Sequence, residues 1–95
     1  MKEVKIILNN IQDIRDFVNQ VILVDYDVDL VQGRYVVDAK SVMGIFSLDL
    51  LSPITVQIHS ESCDAFLAKI KGFIVGFIIK FIFQFGGINL RIALK

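Results

Sequence analysis

The run Val36–Ile58, VVDAKSVMGIFSLDLLSPITVQI, carries three kinds of local order in close succession. At its end Ile54, Val56 and Ile58 alternate with Thr55, Gln57 and His59, the period of two of a strand with one apolar face. Ser52-Pro53 stands just before that strand and blocks any helix from reaching it, since proline lacks the N–H and restricts the preceding residue. Upstream, Val42, Ile45, Phe46 and Leu48 to Leu50 predict a short helix with Ser41 as its N-cap. The first residues of the run belong to a β-rich segment, Arg34–Val37. It faces a second segment, Val28–Val31, across Gln32-Gly33, and two such segments joined through a glycine predict a hairpin.

Working outward, the pattern continues on both sides. Val4, Ile6 and Leu8 alternate with Glu3, Lys5 and Ile7, a half-buried first strand that Asn9-Asn10 ends. Ile11, Ile14, Phe17, Val18, Val21 and Ile22 then recur at steps of three and four, an amphipathic helix with Asn9 or Asn10 as N-cap. Downstream, Ser60 or Ser62 is expected to cap a third helix whose inner stripe is Phe66, Ile70, Phe73 and Phe77. The order βαββαβα defines an α+β fold, a small sheet with its helices on one face. After Lys80 the period returns to two. A turn at Gly86-Gly87 would set Phe85 against Ile88, Phe83 against Leu90 and Phe81 against Ile92 on one apolar face. Residues 1–78 are therefore expected to form the domain and 79–95 an extension folded as a hairpin. An isolated hairpin is marginal in water, so this one is expected to dock on the domain or on another chain. In the second case these six residues are the expected seam of a homodimer.

The chain has 95 residues, enough for one core, and its 55% hydrophobic and 21% charged content excludes a disordered chain. Ten basic and ten acidic residues cancel, which gives no global field for nucleic acid. The distribution is uneven: all ten acids lie before residue 71, and residues 71–95 hold four bases and no acid. A single cysteine, Cys63, excludes an internal disulfide framework, and one cysteine with one histidine cannot build a metal cage. No metal and no cofactor are expected. The opening MKEVKIILNNIQDIRDF lacks the apolar run of a secretory signal, so the cytoplasm is the expected compartment.

The block DAKSVMGIFSLDL, followed by a break and TVQI, resembles HPr, the histidine-containing phosphocarrier of the bacterial phosphoenolpyruvate-dependent sugar phosphotransferase system. The resemblance spans about residues 1–78 and implies an open-faced βαββαβα sandwich. In that family the phosphocarrier histidine opens the first helix in a Gly-Leu-His-x-Arg-Pro setting. Here the matching stretch is Asn9-Asn10-Ile11-Gln12-Asp13-Ile14-Arg15, shorter and without His, Gly or Pro. Gln12 stands nearest the histidine position, and a carboxamide does not accept a phosphoryl group as imidazole does. No catalytic residue is therefore expected. The family's second chemical position, a regulatory serine at the start of the second helix, is matched by Lys40-Ser41 and the following Val42-Met43-Gly44-Ile45. A retained serine without the histidine is similar to the catabolite-repression HPr-like proteins, although their Gly-Leu-Gln-Ala-Arg-Pro loop is absent.

What the resemblance implies is a non-enzymatic regulatory or interaction module switched at Ser41. Its partner surface would be Met43, Phe46 and Ser47, and its partners the phosphotransferase enzymes, an HPr-type kinase or a LacI-type regulator. The competing expectation is a structural HPr-fold domain that oligomerises and does not signal. A phosphocarrier that uses a residue foreign to the family ranks below both. His59 falls on the outward side of its strand as an ordinary surface histidine. Asp25-x-Asp27-x-Asp29 fails as an EF-hand loop, because Leu30 and Val36 stand where Gly and Glu are required. These acids are expected to line a solvated strand edge. Gly72-x-x-x-Gly76 lies in an apolar run of eight residues ending at Lys80, against about twenty for a membrane span.

Overall fold

The computed structural model describes residues 1–76. The expected hairpin with Phe81, Phe83, Phe85, Ile88, Leu90 and Ile92, and the boundary at residue 78, lie outside the described residues. Five strands and three helices follow in the order β1 (Lys2–Ile6), α1 (Ile11–Ile22), β2 (Val28–Gln32), β3 (Tyr35–Asp38), α2 (Val42–Phe46), β4 (Ile54–Ile58), α3 (Asp64–Ile70) and β5 (Ile74–Gly76). A single 3-10 turn, Lys71–Phe73, joins α3 to β5. The βαββαβα order is thus present and gains a fifth strand.

The sheet runs β3-β2-β4-β1-β5, with every neighbouring pair antiparallel. β4 sits at its centre because its inner residues are β-branched and match partners on both sides: Val56 lies opposite Val4 of β1 and Leu30 of β2. Period-two alternation sends Val4, Ile6, Val28, Leu30, Ile54, Val56 and Ile58 to one face, where each is at most 3% exposed. The helices close that face with Ile14, Phe17, Val18 and Val21 of α1, Ile45 of α2, and Phe66 and Ile70 of α3. The Phe17 ring meets Phe73 edge-on at 6.2 Å between centroids. Glu3, Lys5, Asp29, Val31, Thr55 and Gln57 point the other way and leave the second face open.

Several boundaries differ from the sequence expectation, each for a physical reason. Ile11 and Ile22 of α1 are each 57% exposed, because the buried stripe needs only Ile14, Phe17, Val18 and Val21. The hairpin turns on Gly33-Arg34 rather than Gln32-Gly33. Gln32 pairs with Tyr35, and only Gly33 takes a positive φ, the type II′ pattern with glycine first. α2 ends at Phe46 instead of reaching Leu50. The Ser47 hydroxyl and amide both donate to the Gly44 carbonyl and tighten the last turn.

α3 is preceded by Cys63 and not by Ser60 or Ser62; the Ser60 hydroxyl instead accepts the Ser62 amide at 3.1 Å. The largest departure is at the end of α3, which stops at Ile70, so that Ile74–Gly76 becomes a strand. The open edge of β1 offers unpaired backbone groups that a helix could not satisfy. β5 takes them with Lys5 opposite Gly76 and Ile6 opposite Ile74, and Ile7 donates to the Phe73 carbonyl at 3.0 Å. Gly76 is therefore a strand residue, and among the described residues no helix is long and apolar enough to cross a membrane.

Phe17, fully buried under the sheet, and Leu51, 95% exposed, give a direct contrast. Phe17→Ala is expected to cost about 3–5 kcal/mol in urea unfolding, and Leu51→Ala to stay within about 0.5 kcal/mol of the parent.

Candidate functional site

Two helix starts are the positions at which the sequence places chemistry, and they are built differently. At α1, Asn10 is the N-cap: its side-chain oxygen accepts the Asp13 amide at 2.8 Å. The Asp13 carboxylate reaches back to the Asn9 amide at 2.9 Å, close to a capping box. Gln12 follows in the first turn, exposed, with its amide nitrogen donating to Asp16 at 2.8 Å. An added phosphate would meet the Asp13 carboxylate at the positive dipole end and Asp16 beside Gln12. Arg15 is exposed on the same helix. The two carboxylates at this end of α1 disfavour a further anion.

At α2, Ser41 holds the N-cap position with extended backbone, and its hydroxyl accepts the Gly44 amide at 3.0 Å. No acidic side chain lies in the first turn. The Asp38 carboxylate is occupied by the Lys40 amide at 2.9 Å, while the Ser41 amide donates to the Asp38 carbonyl at 2.9 Å. These bonds fix the loop between β3 and α2 and leave Ser41 half-buried at the rim. Gly44 permits the close approach of helix and strand: a Cβ there would lie 3.1 Å from the Ser41 hydroxyl and 3.2 Å from the Val37 Cβ.

The outer side of α2 is apolar and open. Met43 is 80% exposed and Phe46 46%, with Ser47 exposed beside them. Sequence reading placed these three together but missed Leu51, the most exposed large apolar residue of the described chain. The loop that carries it is held by a pair of bonds between residues 17 apart: the Gln32 side chain donates to the Asp49 carbonyl and accepts the Asp49 amide, both at 2.7 Å. The Asp49 carboxylate then accepts the Leu51 amide and the Ser52 hydroxyl. No local pattern announces a pairing of this kind, because it depends on the hairpin and the loop meeting in space.

His59 and Cys63 each make contacts within the fold. The His59 ring contacts Asp29 at 3.0 Å on the open sheet face, and its amide donates to the Asp27 carbonyl. Asp29 therefore lies on an interior strand, β2, and not at a sheet edge as expected. Cys63 is 2% exposed in the core. Burial pushes its thiol up, Lys2 opposes, and Asp64 and Glu61 add to the rise. Burial likewise raises the Tyr26 phenol, next to Cys63 and Asp25.

No family model matches the sequence, and no curated protein is significantly similar to it. Among solved structures, the crystal structure of HPr-C-His from Thermoanaerobacter tengcongensis is similar in fold. The TM-score is 0.63 at 22% identity, over 76% of this chain and 89% of that one. The fold is thus HPr-like.

Ser41→Ala should cost about 0.5–2 kcal/mol in chemical unfolding through loss of the cap. The Cys63 thiol should react with a disulfide reagent at least about tenfold more slowly in the folded than in the unfolded chain. A raised thiol pKa favours the folded state below the ordinary thiol value, so stability should fall as pH rises past about 8.5. Cys63→Ala should flatten that fall, leaving the contribution of Tyr26 above about pH 10.

Proposed function

We propose that this chain is a non-catalytic, HPr-type regulatory or interaction module, with Ser41 as its phosphorylation switch and Met43, Phe46 and Ser47 as its docking face. The observation that carries the reading is the juxtaposition at α2. A serine hydroxyl at the N-cap stands at the start of a helix whose outer residues are apolar and solvent-exposed. Leu51 extends the proposed face from the neighbouring loop.

The chemistry is simple. The Ser41 hydroxyl oxygen attacks the γ-phosphorus of ATP, its proton passes to a base of the kinase, and the bond to ADP breaks. The product places two negative charges near the first-turn amides, with Lys40 alongside and no first-turn acid opposing them. The helix need not unfold to hold that charge, and the adjoining apolar face acquires an anionic rim. A partner with an apolar pocket beside a basic group would then tell the two states apart. Partners of this kind are phosphotransferase-system enzymes, an HPr-type kinase, or a LacI-type regulator. Phosphorelay from phosphoenolpyruvate is not part of the proposal, because Gln12, a carboxamide bonded to Asp16, stands nearest the place of the family's imidazole.

Incubation with an HPr-type kinase, ATP and Mg²⁺ should add one phosphate to the intact mass, and Ser41→Ala should abolish it. No phosphate on the parent, or equal phosphate on Ser41→Ala, would remove the switch and leave a structural domain. With phosphoenolpyruvate and the first phosphotransferase enzyme no acid-labile phosphate should appear. Met43→Asp should reduce capture of the phosphorylated chain by an HPr partner at least about tenfold, with stability unchanged within about 0.5 kcal/mol.

A further inference from the structure

The two long sides of the sheet end differently: β5 covers β1, whereas among the described residues β3 has a strand neighbour only on its β2 side. In a two-residue hairpin the residues flanking the turn exchange hydrogen bonds, so Tyr35, and then Val37, direct their backbone groups toward β2. Ala39 keeps this parity by donating to the Val28 carbonyl at 3.0 Å. Val36, between them, therefore turns its N–H and C=O away from the sheet. Its side chain is 62% exposed and that of Tyr35 63%.

The charges along this edge are unbalanced within one copy. Asp38 lies directly opposite Asp29 in the ladder, an unfavourable like-charge pair. His59 answers Asp29, but among the described residues neither Asp38 nor Arg34 forms an ion pair. Val36 and Asp38 lie opposite Val31 and Asp29 on the open face. Arg34, in the turn, and Asp38, at the strand end, stand two residues to either side of Val36.

We propose that β3 is a homodimer edge, on which two copies pair antiparallel about a two-fold axis at Val36. In that register Val36 exchanges two N–H···O=C bonds with Val36 of the partner subunit. Arg34 falls opposite Asp38 of the partner subunit at both ends of the pair, and Tyr35 falls opposite Val37 of the partner subunit. The incoming arginine supplies the positive charge that the Asp29–Asp38 pair lacks. Self-complementarity is what selects a second copy over an unrelated strand. Shifting the register by one residue sets Arg34 opposite Ala39 and loses both ion pairs. A four-residue edge buries less than a standard interface of roughly 1,200–2,000 Å², so the dimer is weak and concentration-dependent.

Sedimentation of the full chain from about 10 µM to about 1 mM tests this. A reversible monomer–dimer equilibrium is expected. Arg34→Asp should weaken it at least about tenfold, and the double variant Arg34→Asp with Asp38→Arg should restore it. Val36→Pro should abolish it while keeping the fold, since the lost N–H is not used by β2. If Val36→Pro fails to fold, the charge exchange still decides. A chain monomeric throughout, or a dimer indifferent to the charge exchange, would overturn the proposal; the second result would move the contact to another surface.

Discussion

Everything in this fold depends on β4 lying between β1 and β2. Ile54, Val56 and Ile58 are completely buried, and each faces an apolar partner on at least one neighbouring strand. Because β4 pairs with strands distant in sequence on both sides, it joins the start of the chain to the central hairpin and fixes the register of both. A slip of one residue would send Thr55 and Gln57 into the core. With that register fixed, the three helices have one face to cover. α2 then has only one inward residue in its span, Ile45, and must show its other side to water.

That geometry separates the packed core from the exposed rim. The helix-facing side of the sheet is filled by aliphatic and aromatic side chains with no buried charged residue among the described ones. The chemistry sits at the rim, on loops shaped by side-chain hydrogen bonds. At α1 those bonds set the Asn10 side chain as the cap and bring the Asp13 carboxylate back to Asn9. At α2 they leave a serine as the cap, on a helix too short to bury its outer face. Two helix starts in one small domain thus reach opposite electrostatic states through the choice of Asp13 in one first turn and its absence from the other.

Much of this was legible in the sequence, and the remainder follows from its non-local causes. The alternation of Ile54, Val56 and Ile58, the Ser41 cap, one of the two asparagines offered as the first cap, and Ile14, Phe17, Val18 and Val21 of the α1 stripe are local signals, and the structure uses them. β5 was hidden because Phe66, Ile70, Phe73 and Phe77 keep a helical spacing. The demand of the β1 edge overrode it, and Ile74 and Val75 suit a strand. The Gln32–Asp49 clamp and the exposure of Leu51 had no signal at all, since they arise where two loops meet. The Asp triplet misled for the same reason: only the strand order places Asp29 inside the sheet and beside His59.

The central claim is that α2 can carry a phosphate on Ser41 as a local event on an unchanged fold. It is tested most directly by recording amide chemical shifts of the full chain with phosphoserine incorporated at position 41. The account predicts displaced Ser41, Val42, Met43 and Gly44 resonances, a Gly44 amide still hydrogen-bonded, and β4 amides in place. Loss of dispersion across β4, or no change at Gly44, would contradict it.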